Sequence, residues 1–401
     1  MTGVTGVTGV TGRSVTARVT YGEEDFGTVG PFDVQSPWWA DVEPVVDHVR
    51  AVLGVDVVVL RLVDVDGGTP PRGGHVTYHV ETLRRPATRT PVGVAPDTGT
   101  VPGRAAWATA AGVRAALRWA GATDRVEQVK TWNLSALFRI PTGERPVWLK
   151  LTPPFAAHEP AVTEHIAAVD PTLVVPVLAS DPANRRALMA HVPGEDCWDA
   201  SGELIRATVT RWVAAQAALA RGGTPPASTV PDRRPAGLVE GLRSLLDGPA
   251  GAQLTGGEAA GARDLLRRLP DMIDELDACG LPYTLVHGDF HPGNWRSDGD
   301  ATVLIDFADA YVGHPAFDGE RLRDFLEPER QPAVVDAWCE AWTEQVPGSD
   351  PARALRIARP LQAVAGSILY QMFLDHIEPS ERRYHELDPP AGIRAALAAT
   401  G

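Results

Sequence analysis

The stretch from residue 286 to 310, VHGDFHPGNWRSDGDATVLIDFADA, limits what this chain can be more than any other part of it. Asp289 is followed five residues later by Asn294. Twelve residues further on, past a hairpin at Asp298 and Gly299 and the apolar run TVLI, stands Asp306. The hairpin would return the third of these residues beside the first two. A carboxylate next to a reacting hydroxyl can accept its proton. A neutral amide oxygen and a second carboxylate can hold Mg²⁺, which prefers oxygen ligands. Such ions bridge the phosphates of a nucleotide and neutralise charge that develops there.

Two other readings compete for the same residues. His287 and His291 are four apart, as in the zinc motif H-E-x-x-H. That motif needs a helix to bring both imidazoles to one face. Here Pro292 and Gly293 follow at once and Gly288 stands where the catalytic glutamate would be, which argues against zinc. Asp and Asn also bond their own backbone in ordinary loops, and a lone D-x-x-x-x-N would be turn chemistry. The combination carries the functional reading: HGD-x-H-x-x-N, a hairpin, then an apolar strand ending in Asp-Phe.

Residues 287–294 (HGDFHPGN) and 304–309 (LIDFAD) resemble the catalytic loop and metal-binding segment of the aminoglycoside phosphotransferase and choline kinase-like family. That family shares the protein kinase-like fold. The resemblance implies Asp289 as catalytic base, Asn294 and Asp306 as Mg²⁺ ligands, and ATP as phosphoryl donor. It makes His287 structural, and His291 a brace of the loop or a substrate contact. It also requires a lysine on an upstream strand. VWLKL supplies Lys150, with Glu159 preferred over Glu164 as its partner in HEPAVTEHI and Ile166 as the packing residue. LMAHVPGEDCWD resembles the family's hinge. Adenine would bond the backbone of Ala190 and Val192, with His191 between them and Met189 at the back of the pocket.

The chain departs from the pattern at KTWNLSALFRI, where kinases carry a glycine-rich loop and this chain has no glycine. Backbone amides of 133–135 and the Ser135 hydroxyl are the expected phosphate cover, with Trp132 as a packing residue of the lobe core. In GHPAFDGERL, His314 replaces an aspartate common in the family, and Asp318 is expected to tie the loop to a helix. Near the C-terminus, Asp375, Glu378 and Glu381 are either contacts for a cationic acceptor or a solvated helix face.

The rest of the chain sets the frame. With 401 residues, 44% of them hydrophobic, there is material for two or three cores. Net charge is −14 with no basic runs, which argues against a nucleic-acid partner. The three cysteines form no C-x-x-C pair and read as reduced core residues of a cytoplasmic protein. No apolar run reaches the roughly 18 residues of a membrane helix. The TGV repeat that opens the chain reads as a flexible tail over residues 1–20.

Residues 21–122 read as an α/β cap module, which the resemblance leaves unexplained: a helix at 37–53, strands at 55–63 and 75–83, a loop at 84–103 and a helix at 104–121. Residues 123–192 read as a β-rich lobe and hinge. Residues 193–401 read as a helical lobe carrying the catalytic loop. The expectation is an α+β, two-lobed protein kinase-like fold with an extra N-terminal α/β cap. It would transfer the γ-phosphoryl group of ATP to a hydroxyl of a small molecule such as an aminoglycoside, sugar or amino alcohol. A non-catalytic nucleotide-binding protein is the alternative.

Overall fold

The structure is a computed structural model that describes residues 12–87, 89–94, 101–122, 126–222, 230–299 and 301–400. Its N-terminal part holds β1 (Arg13–Tyr21), β2 (Glu24–Val34), α1 (Glu43–Leu53), β3 (Val57–Asp66), β4 (His75–Thr82), β5 (Gly93–Val94) and α2 (Ala110–Trp119). The strands form one sheet in the order β3-β4-β1-β2-β5. This corrects the expected tail. Residues 13–20 are part of a strand that pairs with β4 on one side and β2 on the other. The period-2 alternation starts where the repeat stops: Val15, Ala17 and Val19 are buried, and Ser14, Thr16 and Arg18 on the other face are less so. The first eleven residues of the expected tail lie outside the described residues.

Helix α1 starts later than the apolar pattern suggests, at Glu43 with Pro44 in its first turn, where a missing N–H costs nothing. It buries Val45, Val46, Val49 and Leu53 against one face of the sheet. The other face of β3 presents Val58 and Leu60 to a second core, shared with Trp107, Val113, Phe138 and Leu149. The side chain of Gln128 bridges the two units: it accepts from Val59 N and donates to Val59 O, each at 2.7 Å. The cap is thus fused to the following lobe through a common core.

That lobe is an antiparallel sheet of β6 (Glu127–Trp132), β7 (Ser135–Ile140), β8 (Val147–Leu151), β9 (Val177–Asp181) and β10 (Arg186–Met189), in the order β6-β7-β8-β10-β9. Helix α3 (Glu159–Ala167) follows β8. β11 (Glu195–Asp196) leads into the helical lobe. Its helices are α4 (Gly202–Gly222), α5 (Leu238–Asp247), α6 (Pro249–Ala252), α7 (Gly256–Asp277), α8 (Ala316–Asp324), α9 (Gln331–Gln345), α10 (Pro351–His376) and α11 (Asp388–Ala398). Short strands β12 (Thr284–Val286), β13 (Trp295–Ser297), β14 (Thr302–Leu304) and β15 (Tyr311–Gly313) frame the catalytic-loop stretch. The hairpin read from Asp298 and Gly299 joins β13 to β14. Helix α7 opens with a capping box, Thr255 and Glu258 each bonding the other's backbone amide.

A turn at Pro379–Tyr384 straps the helical lobe to the cap. Tyr384 is buried in the cap core. Glu381 Oε1 accepts from Leu62 N at 2.7 Å. Glu378 lies 2.9 Å from Arg104 and 3.7 Å from Arg61, all three side chains buried. Glu378 and Glu381 are therefore neither acceptor contacts nor a solvated face. Asp375 is bonded by Gln371 within its own helix. Among the described residues, no helix is long and apolar enough to cross a membrane, and the cysteines are unpaired.

Candidate active site

The catalytic-loop stretch is built on an anchor from α8. Asp318 accepts four hydrogen bonds, from Trp212 Nε1 (2.9 Å), Gln216 Nε2 (3.1 Å), His287 N (2.9 Å) and Gly288 N (3.1 Å). Helix α4 and the chain leaving β12 are thereby fixed to one buried carboxylate. Burial pushes its pKa up to about 6 in spite of those donors. Gly288 turns at φ 84°, and a Cβ there would sit 2.3 Å from the Asp309 carbonyl oxygen. Only glycine fits this approach.

His287 is fully buried. Its Nε2 faces the Ile305 carbonyl at 3.1 Å and its Nδ1 accepts from Asp289 N at 3.3 Å. Burial pulls its pKa down to about 4, so the ring is neutral. With both nitrogens used inside the loop, His287 braces the loop and has none left for a metal. His291 is stacked between Trp198 and Phe325, with ring centroids 5.2 and 4.3 Å away.

Asp289 projects from this frame. Its Oδ1 accepts from Arg321 Nε (3.0 Å) and Nη2 (2.6 Å). Its Oδ2 is shared by Asn294 Nδ2 (3.0 Å) and His291 Nε2 (3.2 Å). Burial works against the charge, but Arg321 and His291 outweigh it and hold the carboxyl well below the usual range. Asn294 Nδ2 also donates to the Asp289 carbonyl at 2.9 Å, which leaves Oδ1 as the open end of that amide.

Lys150, on β8, is buried with its Nζ 2.7 Å from Glu159 Oε2 and 2.8 Å from Asp306 Oδ1. Burial disfavours its charge, yet the carboxylates of Asp306 and Glu159 raise its pKa. The other Glu159 oxygen accepts from Phe307 N at 3.0 Å, so Glu159 also fixes the turn that carries Asp306. Glu164 is exposed. Asp306 itself is left-handed, φ 66°, a conformation that Asp tolerates better than most side chains. Lys150 lowers its pKa against the effect of burial.

Ser135 closes the two-residue hairpin between β6 and β7 and accepts from Trp132 Nε1 at 3.1 Å. Asn133, inside that hairpin, is buried against the strap: Nδ2 donates to Glu381 O at 3.2 Å, and Oδ1 lies 3.2 Å from His385 Nε2. A cavity of about 550 Å³ is walled by this hairpin, by Asp289 and Asp306, and by one side of α10. Phe155, Tyr370, Phe373 and Arg321 also line it.

The structure thus joins Lys150, Glu159 and Asp306 in one bonded cluster, and Asp289 and Asn294 in another. Asp289, Asp306 and Ser135 share the cavity. Met189, Ala190 and Val192 lie off it, at the end of β10. Met189 packs with Val175 and Ala187, and Ile305, next to Asp306, packs against the same cluster. The Ala190 amide is taken by Pro176 O at 2.9 Å. Among the described residues, the Ala190 carbonyl and the Val192 amide have no hydrogen-bond partner. Sequence reasoning missed Arg321, whose one local signal is its place three residues after Asp318 on the same helix. It also missed Arg233 and Asp309, which line the cavity.

Asn294 and Asp306 offer an amide oxygen and a carboxylate oxygen. Among the described residues, no group of three or more His, Cys, Asp or Glu side chains could hold a metal. Two oxygen donors suit Mg²⁺, which takes its remaining ligands from phosphate and water, and do not suit zinc.

No curated protein matches the chain in sequence. Several solved structures are similar to it. A choline/ethanolamine kinase family protein from Mesorhizobium loti is 17% identical, over 72% of this chain and 97% of that one, at a TM-score of 0.49. A choline kinase from Streptococcus pneumoniae is 14% identical, over 71% and 97%, at 0.48. A spectinomycin phosphotransferase, solved with ADP and spectinomycin, is 11% identical, over 69% and 93%, at 0.43. The profile of the phosphotransferase enzyme family, APH, matches residues 114–355, more than half of the chain and all of the bonded clusters above. The chain belongs to that phosphotransferase family and has its two-lobed, protein kinase-like fold.

Proposed function

We propose that the protein transfers the γ-phosphoryl group of ATP to a hydroxyl of a small molecule seated in the cavity beside Asp289. The observation that carries this is the meeting of two differently prepared carboxylates in one cavity. Asp289 is locked by Arg321, and Asp306 is held by Lys150 and opens to the cavity with its side chain about half exposed.

Asp289 accepts a hydrogen bond from the acceptor hydroxyl and aims its oxygen. Because Arg321 keeps it ionised, its main work is orientation, and it takes the hydroxyl proton as the new O–P bond forms and the bond from the γ-phosphorus to the bridging oxygen breaks, releasing ADP. Lys150 places its ammonium against the nucleotide phosphates, with Glu159 holding the side chain in line. The Ser135 hydroxyl and nearby amides cover the phosphates from the hairpin. The Ala190 carbonyl and Val192 amide serve the adenine edge, and Met189 packs behind it. Asn294 Oδ1 and Asp306 would hold Mg²⁺, which would neutralise phosphate charge. The cavity walls exclude water, which would otherwise compete as acceptor.

The test is thermal unfolding with and without MgATP, for wild type and Asp306→Ala. A ligand at 100 times its dissociation constant stabilises by about 2.7 kcal/mol. A Mg²⁺-dependent shift is expected in wild type and not in the variant. Asp289→Ala should keep the shift and lose at least about 10²-fold in turnover. No shift with ATP or GTP in wild type would defeat the reading.

A further inference from the structure

The hairpin between β6 and β7 stands where kinases carry a glycine-rich loop, and it holds no glycine. Glycine lets a backbone close on a phosphate and adjust there. A loop without it needs its shape set from outside, and this one is held on two sides. β6 is an edge strand of its sheet, and the cap covers that edge. Val42 N donates to Val129 O at 3.2 Å, and Thr131 N donates to Ala40 O at 3.1 Å. Trp107 of the cap donates its Nε1 to Trp132 O at 3.2 Å.

The tip is held by the strap and the residue after it. Asn133, 5% exposed, donates from Nδ2 to Glu381 O at 3.2 Å, which turns its Oδ1 toward His385 Nε2, also at 3.2 Å. His385 is fixed in its turn. Its Nδ1 lies 3.1 Å from Asp388 Oδ2 at the start of α11, and its ring packs beside Tyr370 and Phe373 of α10, each with centroids 5.4 Å away. The Trp132 ring meets Tyr384 and His385, both at 5.7 Å. Trp132 Nε1 donates to Ser135 Oγ at 3.1 Å. With its oxygen accepting from Trp132, the Ser135 hydroxyl keeps its proton to donate into the cavity, which Trp132, Leu134 and Ser135 line.

Two routes therefore lead from His385 to the cavity face of the hairpin. One runs through Asn133 to the backbone of 133–135, the other through Trp132 to the Ser135 hydroxyl. Burying a bonded Asn and His costs desolvation that an apolar contact would not. What the polar pair adds is direction, since a satisfied buried network fixes one arrangement. We propose that His385 and Asn133 are positioning residues for the nucleotide. They hold the hairpin in the shape that meets the phosphates before MgATP arrives, so that less ordering is left to binding. This rests on the phosphotransferase reading and adds the C-terminal strap to its nucleotide site.

The test compares full-length wild type with His385→Phe, His385→Gln and Asn133→Ala. Leu269→Ala, which opens the core beside α7 and leaves the hairpin's partners in place, controls for lost stability. The readings are hydrogen exchange of the amides at 129–136 without nucleotide, and MgATP affinity by titration calorimetry. His385→Phe keeps a ring among its aromatic neighbours and removes both hydrogen bonds. It should speed exchange in the hairpin and weaken MgATP about 10-fold, the scale of one backbone residue released from a fixed conformation. Asn133→Ala should do the same. His385→Gln, whose amide N–H reaches the place of Nε2, should restore both readings. Leu269→Ala should lower the melting temperature and leave MgATP affinity unchanged. Unchanged hairpin exchange in His385→Phe and Asn133→Ala would overturn the clamp. Faster exchange with unchanged MgATP affinity would overturn its part in nucleotide binding. Equal weakening of MgATP by Leu269→Ala would reduce the effect to lost stability and overturn the proposal too. A wild type that binds no MgATP would instead take down the phosphotransferase reading on which the proposal stands. If Asn133→Ala does not fold, the contrast between His385→Phe and His385→Gln decides.

Discussion

Arg321 grips one oxygen of Asp289 with two nitrogens, Nε at 3.0 Å and Nη2 at 2.6 Å, and leaves the other oxygen to Asn294 and His291. The charge on Asp289 therefore depends on a residue 32 positions away. Arg321→Met should leave burial as the dominant influence and move the Asp289 pKa upward. The acid limb of the kcat/KM profile should then appear at higher pH in the variant than in wild type. Turnover at pH 7 should fall by about 10²-fold. Superimposable pH profiles would show that Arg321 does not set the state of the carboxylate.

Among the described residues, Lys150 is the one cation bonded to both Glu159 and Asp306. Lys150→Met removes it and leaves the buried Glu159 carboxylate without its partner. Breaking a buried pair in this way costs about 3–5 kcal/mol. Lys150→Met combined with Glu159→Gln should recover much of that stability, because the orphaned charge is gone. It should not recover the MgATP shift, because no ammonium remains for the phosphates. Urea unfolding and thermal shifts on the three proteins separate these effects. A double variant no more stable than Lys150→Met alone would refute the pairing argument.

How much of this was legible in the sequence depended on the distance between partners. Asp289, Asn294 and Asp306 lie within one hairpin's length of each other, so turn residues and spacing were enough to group them. Lys150 and Glu159 sit on a strand and the helix after it, again a local signal. Arg321 carries only its spacing from Asp318 and Arg233 no such signal, because what they face is set by how α8 and the segment before α5 fold back on the loop. Glu378 and Glu381 misled for the same reason. In a polar run they read as solvated, yet their partners Arg104 and Leu62 are 274 and 319 residues away. Strand β1 was hidden by the repeat beside it, although its alternation was present. The adenine contacts proposed for Ala190 and Val192 would be made by backbone atoms, and backbone carries no side-chain signature to read.

The cap and the kinase-like lobe should unfold as one unit. Val58 and Leu60 of β3 share a core with Phe138 and Leu149, and Tyr384 of the strap lies in the cap core. Leu60→Ala and Phe138→Ala should each cost about 2–5 kcal/mol and lower the same calorimetric transition. Arg104→Met, which strips Glu378 of its 2.9 Å partner, should lower that transition too. Separate cap and lobe transitions, with each variant moving only one, would contradict a shared core.

Two buried histidines should make the fold acid-sensitive. Burial pulls His287 down to about 4 and His314 down to about 3. In the unfolded chain both titrate near 6.5. Below that pH the unfolded state takes up protons that the folded state refuses, so stability falls with pH. The contribution is complete above about pH 6.5 and is lost progressively toward the folded values. At about 1.4 kcal/mol per pH unit it is on the order of 3 kcal/mol for His287 and 5 kcal/mol for His314. Asp318, Glu320 and Glu381, raised by burial to about 6, 7 and 8, act in the opposite sense over part of this range. The difference between wild type and a variant isolates the histidine. Among the described residues, His314 Nε2 has no hydrogen-bond partner, and Nδ1 accepts from Ala316 N at 3.3 Å, a bond that an asparagine oxygen could take over. Urea midpoints of wild type and His314→Asn, taken from pH 7.5 to pH 5, should converge as pH falls, because the variant loses the slope that His314 supplies. Parallel curves would mean that His314 is not titrating against its burial.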